Sequence, residues 1–141
     1  MGALTLAQAN GIIAVAFERS RQSGYQPMAV VVLDASGHVI SAQREDGASM
    51  FRIDIATGKA WASVAMGASS RTLGERAKGN PNFFVSLAST AQGHFLPQTG
   101  AVLVVGADGQ VVGAAGASGG TGDEDEAICI AGVAAASLAH R

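Results

Sequence analysis

The residues best able to do chemistry cluster in one stretch, residues 116–127, which reads GASGGTGDEDEA. A glycine-rich turn leading into a helix start presents unpaired backbone N–H groups and the positive end of the helix dipole, a combination that usually cradles phosphate. Here four carboxylates, Asp123, Glu124, Asp125 and Glu126, follow at once. They supply the negative charge from within, and a phosphate would meet repulsion from its own site. The stretch therefore reads as a strand-to-helix corner, capped by Thr121 or Gly122. One acid can still face a pocket. Asp123 and Glu126 share a helical face, as do Glu124 and Ile128, which leaves Glu124 and Asp125 as the candidates for burial beside the apolar stripe. A buried carboxylate needs a cationic partner, and Arg44 and Lys59 are available. Lys59 lies in IATGKAWAS, among small and apolar residues, where a lysine either snorkels to water or pairs in a cleft.

Among the three histidines, His38 sits by a turn and His140 at the end of the chain, whereas His94 is embedded in the apolar QGHFLP. His94 is thus the candidate for a metal, haem or proton-transfer role. No two histidines have metal-ligand spacing, and a single cysteine, Cys129, rules out a CxxC or zinc cluster. There is no GxSxG elbow. Ser118 and Thr121, beside glycine N–H groups, offer at most a small oxyanion nest.

The elements that must position these groups follow from periodicity and punctuation. Thr5 with Gln8 forms a capping box for a helix that Gly24 ends. Residues 28–33 (MAVVVL) and 38–43 (HVISAQ) flank the turn DASG as a hairpin. A long helix is expected from Ala48 or Ser49 to about Thr72. Gly58 inside it costs about 1 kcal/mol against alanine, tolerable where another backbone comes close. Residues 78–100 are expected to be short helical turns and loop, packed on the sheet, a neighbouring subunit or a ligand. A second hairpin, 101–105 and 111–117 around GADGQ, leads into a last helix from about Gly122 to Ala139. Sequential hairpins imply an antiparallel sheet with helices covering its faces. The expected class is an α+β sandwich in one domain, residues 1–141, and not a Rossmann fold.

Charged residues make up 14% of the chain, against roughly 25% in an average globular protein. Hydrophobic residues are 48%, largely alanine, with 19 glycines. The core must be built of small side chains and close backbones, and the uncharged surface hints at a buried oligomer interface. A net charge of −2 without a basic stripe argues against nucleic acid as a partner. No apolar run reaches the roughly 18 residues of a membrane span, and the N-terminal stretch lacks a basic n-region and a cleavage pattern. A cytoplasmic protein is expected.

The segments VVVLDASGHVISAQREDGASMFRIDIATGKAWAS and DGQVVGAAGASGGTGDEDEAICIAG resemble the GlcG/HbpS-like family, and the likeness extends over nearly the whole chain. Its most specific mark is the SGGTG turn followed by acids; Asp34, Gly37, Arg44, Asp54, Lys59 and Gly113 also match. The resemblance implies a profilin-like fold, a five-stranded antiparallel sheet with helices on both sides, and homo-oligomers from dimer to octamer. It implies a cleft bordered by the middle helix and the glycine turn. Several members bind haem, and some are credited with degrading it or sensing redox state. The first helix here has no histidine where a family haem ligand is expected, so His94 would have to stand in as the metal ligand.

Two ligand-bearing readings follow, beside a third in which the chain is a structural or chaperone-like accessory subunit with no ligand. In the first, an oligomeric accessory or sensor protein binds a small ligand, haem or another tetrapyrrole. Arg44 and Lys59 engage its carboxylates, Gly119, Gly120 and Thr121 donate N–H groups, and His94 ligates iron. In the second, a small catabolic enzyme (an isomerase, lyase or hydrolase) acts on an organic acid or carbonyl compound. Lys59 or His94 is then the base, and Asp125 or Glu126 the acid or orienting group.

Overall fold

The computed structural model describes residues 2–141. Helix α1 (Leu6–Gln22) starts on the expected capping box, with Thr5 Oγ1 accepting from the Gln8 N–H at 3.1 Å and Gln8 Oε1 accepting from the Thr5 N–H at 2.9 Å. Strands β1 (Ala29–Asp34) and β2 (Val39–Arg44) form the first hairpin, and β3 (Ala101–Val105) and β4 (Val111–Ser118) the second. The hairpins join through β1 and β4, pairing Ala29 with Ser118 and Asp34 with Gly113. With a short β5 (Ala139–His140) on the far edge, the sheet runs β2-β1-β4-β3-β5, antiparallel throughout. Helices cover both faces. This is the α+β, profilin-like sandwich that the resemblance implies.

One face carries Val30, Val32, Val102, Val104, Ala115 and Ala117 against α1 and the final helix α5 (Gly122–Ala135). The other carries Val31, Leu33, Ala101 and Ala114 against Ala56 and Ala60 of α2 (Phe51–Met66). The small-residue composition acts here. A Cβ on Gly116 would stand 2.5 Å from the Ala56 carbonyl oxygen, and a Cβ on Gly132 would strike the Ile12 carbonyl. Helices therefore lie directly on strand and helix backbones. Gly58 fits the same pattern: its carbonyl accepts from the Leu96 N–H at 3.2 Å, and a Cβ there would meet Leu96 Cβ at 3.0 Å.

Three boundaries differ from expectation. The long helix is two helices. Gly67 adopts φ +69° and closes α2 on the Ser63 carbonyl, and Ser69 caps α3 (Ser70–Gly79) by accepting from the Thr72 N–H. Residues 78–100 contain a full helix, α4 (Pro81–Thr90), with Pro81 in its first turn. Phe84 of α4 packs with Phe95, Leu73 and Ala62 beside α2. The last helix stops at Ala135, and Ser137 at φ +60° turns the chain so that β5 pairs with β3. His140, at the end of the chain, sits in that edge strand opposite Val104. Among the described residues no helix is long and apolar enough to cross a membrane.

One substitution should change stability in opposite directions at two helical positions. Gly132→Ala overpacks the α1–α5 contact and should cost about 1–3 kcal/mol. Gly11→Ala, exposed on α1 with no atom within 4 Å of the new methyl, should stabilise by about 1 kcal/mol through helix propensity. Urea denaturation of the two variants checks both signs.

Candidate functional site

Four acids in a row have three different fates. Glu124 completes a second capping box: its Oε1 accepts from the Thr121 N–H at 3.0 Å, while Thr121 Oγ1 accepts from the Glu124 N–H at 3.2 Å. Asp123 and Glu126, on one helical face, both hold the Arg71 guanidinium from α3, with Arg71 Nε 3.1 Å from Glu126 Oε2. Those carboxylates raise the already high Arg71 pKa further. Asp125 alone turns inward and is 2% exposed.

The partner of Asp125 is Lys59, 5% exposed, whose Nζ donates to Asp125 Oδ2 at 2.9 Å and to the Ala117 carbonyl at 3.1 Å. The other carboxylate oxygen accepts from the Gly120 N–H at 2.9 Å. Space for the ammonium depends on Gly100: a Cβ there would lie 2.6 Å from Nζ, and the residue's φ of +141° also suits only glycine. Burial pushes the Asp125 carboxyl above its ordinary range, and the Lys59 charge and the Gly120 hydrogen bond oppose that shift. Further along α5, burial pushes the Cys129 thiol far up, reinforced by the Asp125 charge.

Above this pair opens a cleft of about 560 Å³, lined by Arg52, Ile55, Lys59, Leu96, Gln98, Thr99, Ser118, the turn from Gly120 to Asp123, and Asp125. Arg52 donates one bond, to Ser118 Oγ at 3.0 Å, and among the described residues no carboxylate lies within salt-bridge distance of it. Sequence reasoning named Arg44 and missed Arg52. Arg44 instead donates to the Ala48 carbonyl at 2.5 Å and does not line the cleft. A signal for Arg52 existed: Arg52, Ile55 and Lys59 share one face of α2 at i, i+3, i+7 spacing.

Gly120 and Thr121 line the cleft, but the Thr121 hydroxyl and N–H and the Gly120 N–H are all engaged within the corner. Gly119, at φ +147°, packs against Pro27 and Met28 away from the lining. His94 is exposed, its Nδ1 bonded to the Ala91 carbonyl at 2.8 Å and its ring 5.6 Å from Trp61. It is not among the lining residues, although Leu96, two positions on, is. The structure thus brings Lys59 and Asp125 together and leaves Arg44, His94 and Glu126 elsewhere. No group of three or more His, Cys, Asp or Glu residues among those described could hold a metal ion.

Removing either charge alone leaves the other buried and unpaired, so Lys59→Met and Asp125→Leu should each destabilise by about 3–5 kcal/mol. The double variant should recover most of that loss, and a double-mutant cycle in urea measures the coupling. Cys129 should be silent toward a thiol reagent at pH 8 in the native protein and react on denaturation.

A family model described as "Haem degrading protein HbpS-like" matches residues 4–134. Among solved structures, a haem complex of PduOC is 28% identical over 97% of both chains, with a TM-score of 0.86. A double mutant of HbpS from Streptomyces reticuli is 29% identical over 96% of this chain and 88% of that one, with a TM-score of 0.82. The Klebsiella pneumoniae protein ORFY, 24% identical over 97% and 92% of the two chains at a TM-score of 0.87, shares the fold. No curated protein matches this chain. A match across nearly its whole length places the chain in the HbpS-like family.

Proposed function

We propose that this protein binds a small carboxylate-bearing ligand in the cleft between α2 and the 118–122 turn, with Arg52 taking the role expected of Arg44. The observation that carries this reading is the Arg52 guanidinium. Among the described residues no carboxylate is within salt-bridge distance of it, and the floor below it carries a pair whose charges cancel. A planar guanidinium matches a carboxylate with two parallel hydrogen bonds. Haem, which carries two propionates, is the ligand favoured by the family and by the related haem complex. The lining suits those carboxylate arms. It contains no His, Cys, Met or Tyr, so a haem held here is held through its propionates, and ligation of the iron falls to a residue outside the lining, with His94 as the candidate.

Hemin titration tests this. The wild-type protein should shift the Soret band away from that of free hemin, and Arg52→Ala should weaken binding about tenfold, the loss of a charge-assisted hydrogen bond. Loss of the shifted band in His94→Ala assigns the iron ligand to His94; an unchanged band assigns it elsewhere. A spectrum of free hemin alone with wild-type protein would sink the haem reading.

A second reading, a small enzyme acting on an organic acid or carbonyl compound, is favoured by the buried Lys59–Asp125 pair. A lysine and a carboxylate in hydrogen-bond contact at the floor of a cleft form an acid–base couple. Homo-oligomerisation belongs to the same proposal. Leu6, Met50, Phe51, Phe83 and Val85 are large apolar side chains about half exposed or more, surface that a second copy of the chain would cover. Sedimentation velocity should give a mass above that of one chain.

A further inference from the structure

We propose that the Lys59 amine forms an imine with a small 2-oxo acid whose carboxylate is held by Arg52. The inference rests on the carboxylate-binding reading of the cleft and adds a covalent step on its floor. Arg52 and Lys59 project from one face of α2 about two turns apart, yet their side chains converge. Arg52 ends on Ser118 Oγ and Lys59 on the Ala117 carbonyl, at successive residues of β4. A 2-oxo acid carries its carboxylate and its ketone on adjacent carbons, so adjacent receptors are what it requires. Ile55 and Leu96 supply apolar walls for the remaining carbon chain.

The charge balance of the floor suits the step. Lys59 first passes a proton to Asp125 Oδ2, 2.9 Å away; burial, by raising the Asp125 carboxyl above its usual range, eases that transfer. The neutral Nζ adds to the ketone carbon, forming the N–C bond, and the carbonyl oxygen takes one of the two amine protons. That oxygen then leaves as water, carrying the proton returned by Asp125, and the N–C bond becomes C=N. The product is a protonated imine facing the Asp125 carboxylate. One cation has replaced another at the same place, so the pair stays neutral and no buried charge is left without its partner. Lysines kept away from bulk water beside a proton acceptor are suited to this chemistry.

Reductive trapping gives the test. The chain is incubated with pyruvate and cyanoborohydride, and modified peptides are mapped by mass spectrometry. Lys78, exposed on α3, is the only other lysine in the chain and serves as the internal control. The proposal expects a reduced adduct on Lys59 ahead of Lys78, roughly tenfold less of it in Arg52→Ala, and little with acetone, which has the ketone but no carboxylate. Modification of Lys78 without Lys59 overturns the proposal, as does equal trapping of acetone and pyruvate at Lys59. Melting temperatures of the same protein with pyruvate and no reductant separate the two layers. A rise without a Lys59 adduct refutes the imine and leaves the carboxylate cleft standing; no rise and no adduct removes pyruvate-like acids from both.

Discussion

The ion pair between Lys59 and Asp125 is the constraint around which the site is organised. Two charges taken out of water are tolerable only when each is fully partnered. Here the carboxylate oxygens take one bond each, from Lys59 and from the Gly120 N–H, and the ammonium also meets the Ala117 carbonyl. Those bonds tie together the middle of α2, the end of β4, the glycine turn and the first turn of α5. They also explain a residue far away in sequence: Gly100, on the approach to β3, must lack a side chain because the ammonium occupies that space. A corner that resembles a phosphate cradle has its inward face taken by an internal carboxylate.

The close packing of small residues sets how far Lys59 can reach. Gly116 lets the α2 backbone settle on β4 at Ala56 and Ala60. A helix held one side chain further out would leave the ammonium short of the Ala117 carbonyl. The alanine and glycine content thus fixes a distance as well as filling a core. Gly132 performs the same service on the opposite face, seating α5 on α1. Both helices that contribute to the pair are positioned by backbone contact, which has little play.

Much of this was legible in the sequence, and the exceptions have physical causes. The Thr5–Gln8 capping box and the two hairpins rest on local rules and appear as read, and Gly58 meets the close neighbour expected of it. The corner is capped by Thr121, one of the two residues expected, through a box with Glu124 that the sequence reading does not contain. Inward burial of an acid was narrowed to Glu124 or Asp125; the capping bond of Glu124 decided between them. The break at Gly67 was obscured because alanines on either side continue the helical pattern, and α4 because Pro81 reads as a breaker when it is in fact a helix start. Arg44 stands out in the sequence because it ends a strand, whereas Arg52 is marked only by its i, i+3, i+7 spacing with Ile55 and Lys59 on α2. His94 was singled out for its apolar neighbours. Phe95 beside it is buried and the histidine is not, since adjacent residues outside regular structure need not share an environment.

The break at Gly67 also sets how the cleft meets its surroundings. It swings α3 to where Arg71 can bind Asp123 and Glu126, so that helix is fastened to the corner at its rim by ion pairs about half open to solvent. The pair on the floor is shut away from solvent. Dissolved salt weakens exposed charges and barely reaches buried ones. The corner therefore combines an exposed ionic clasp to α3 that weakens as electrolyte rises with a buried pair indifferent to it.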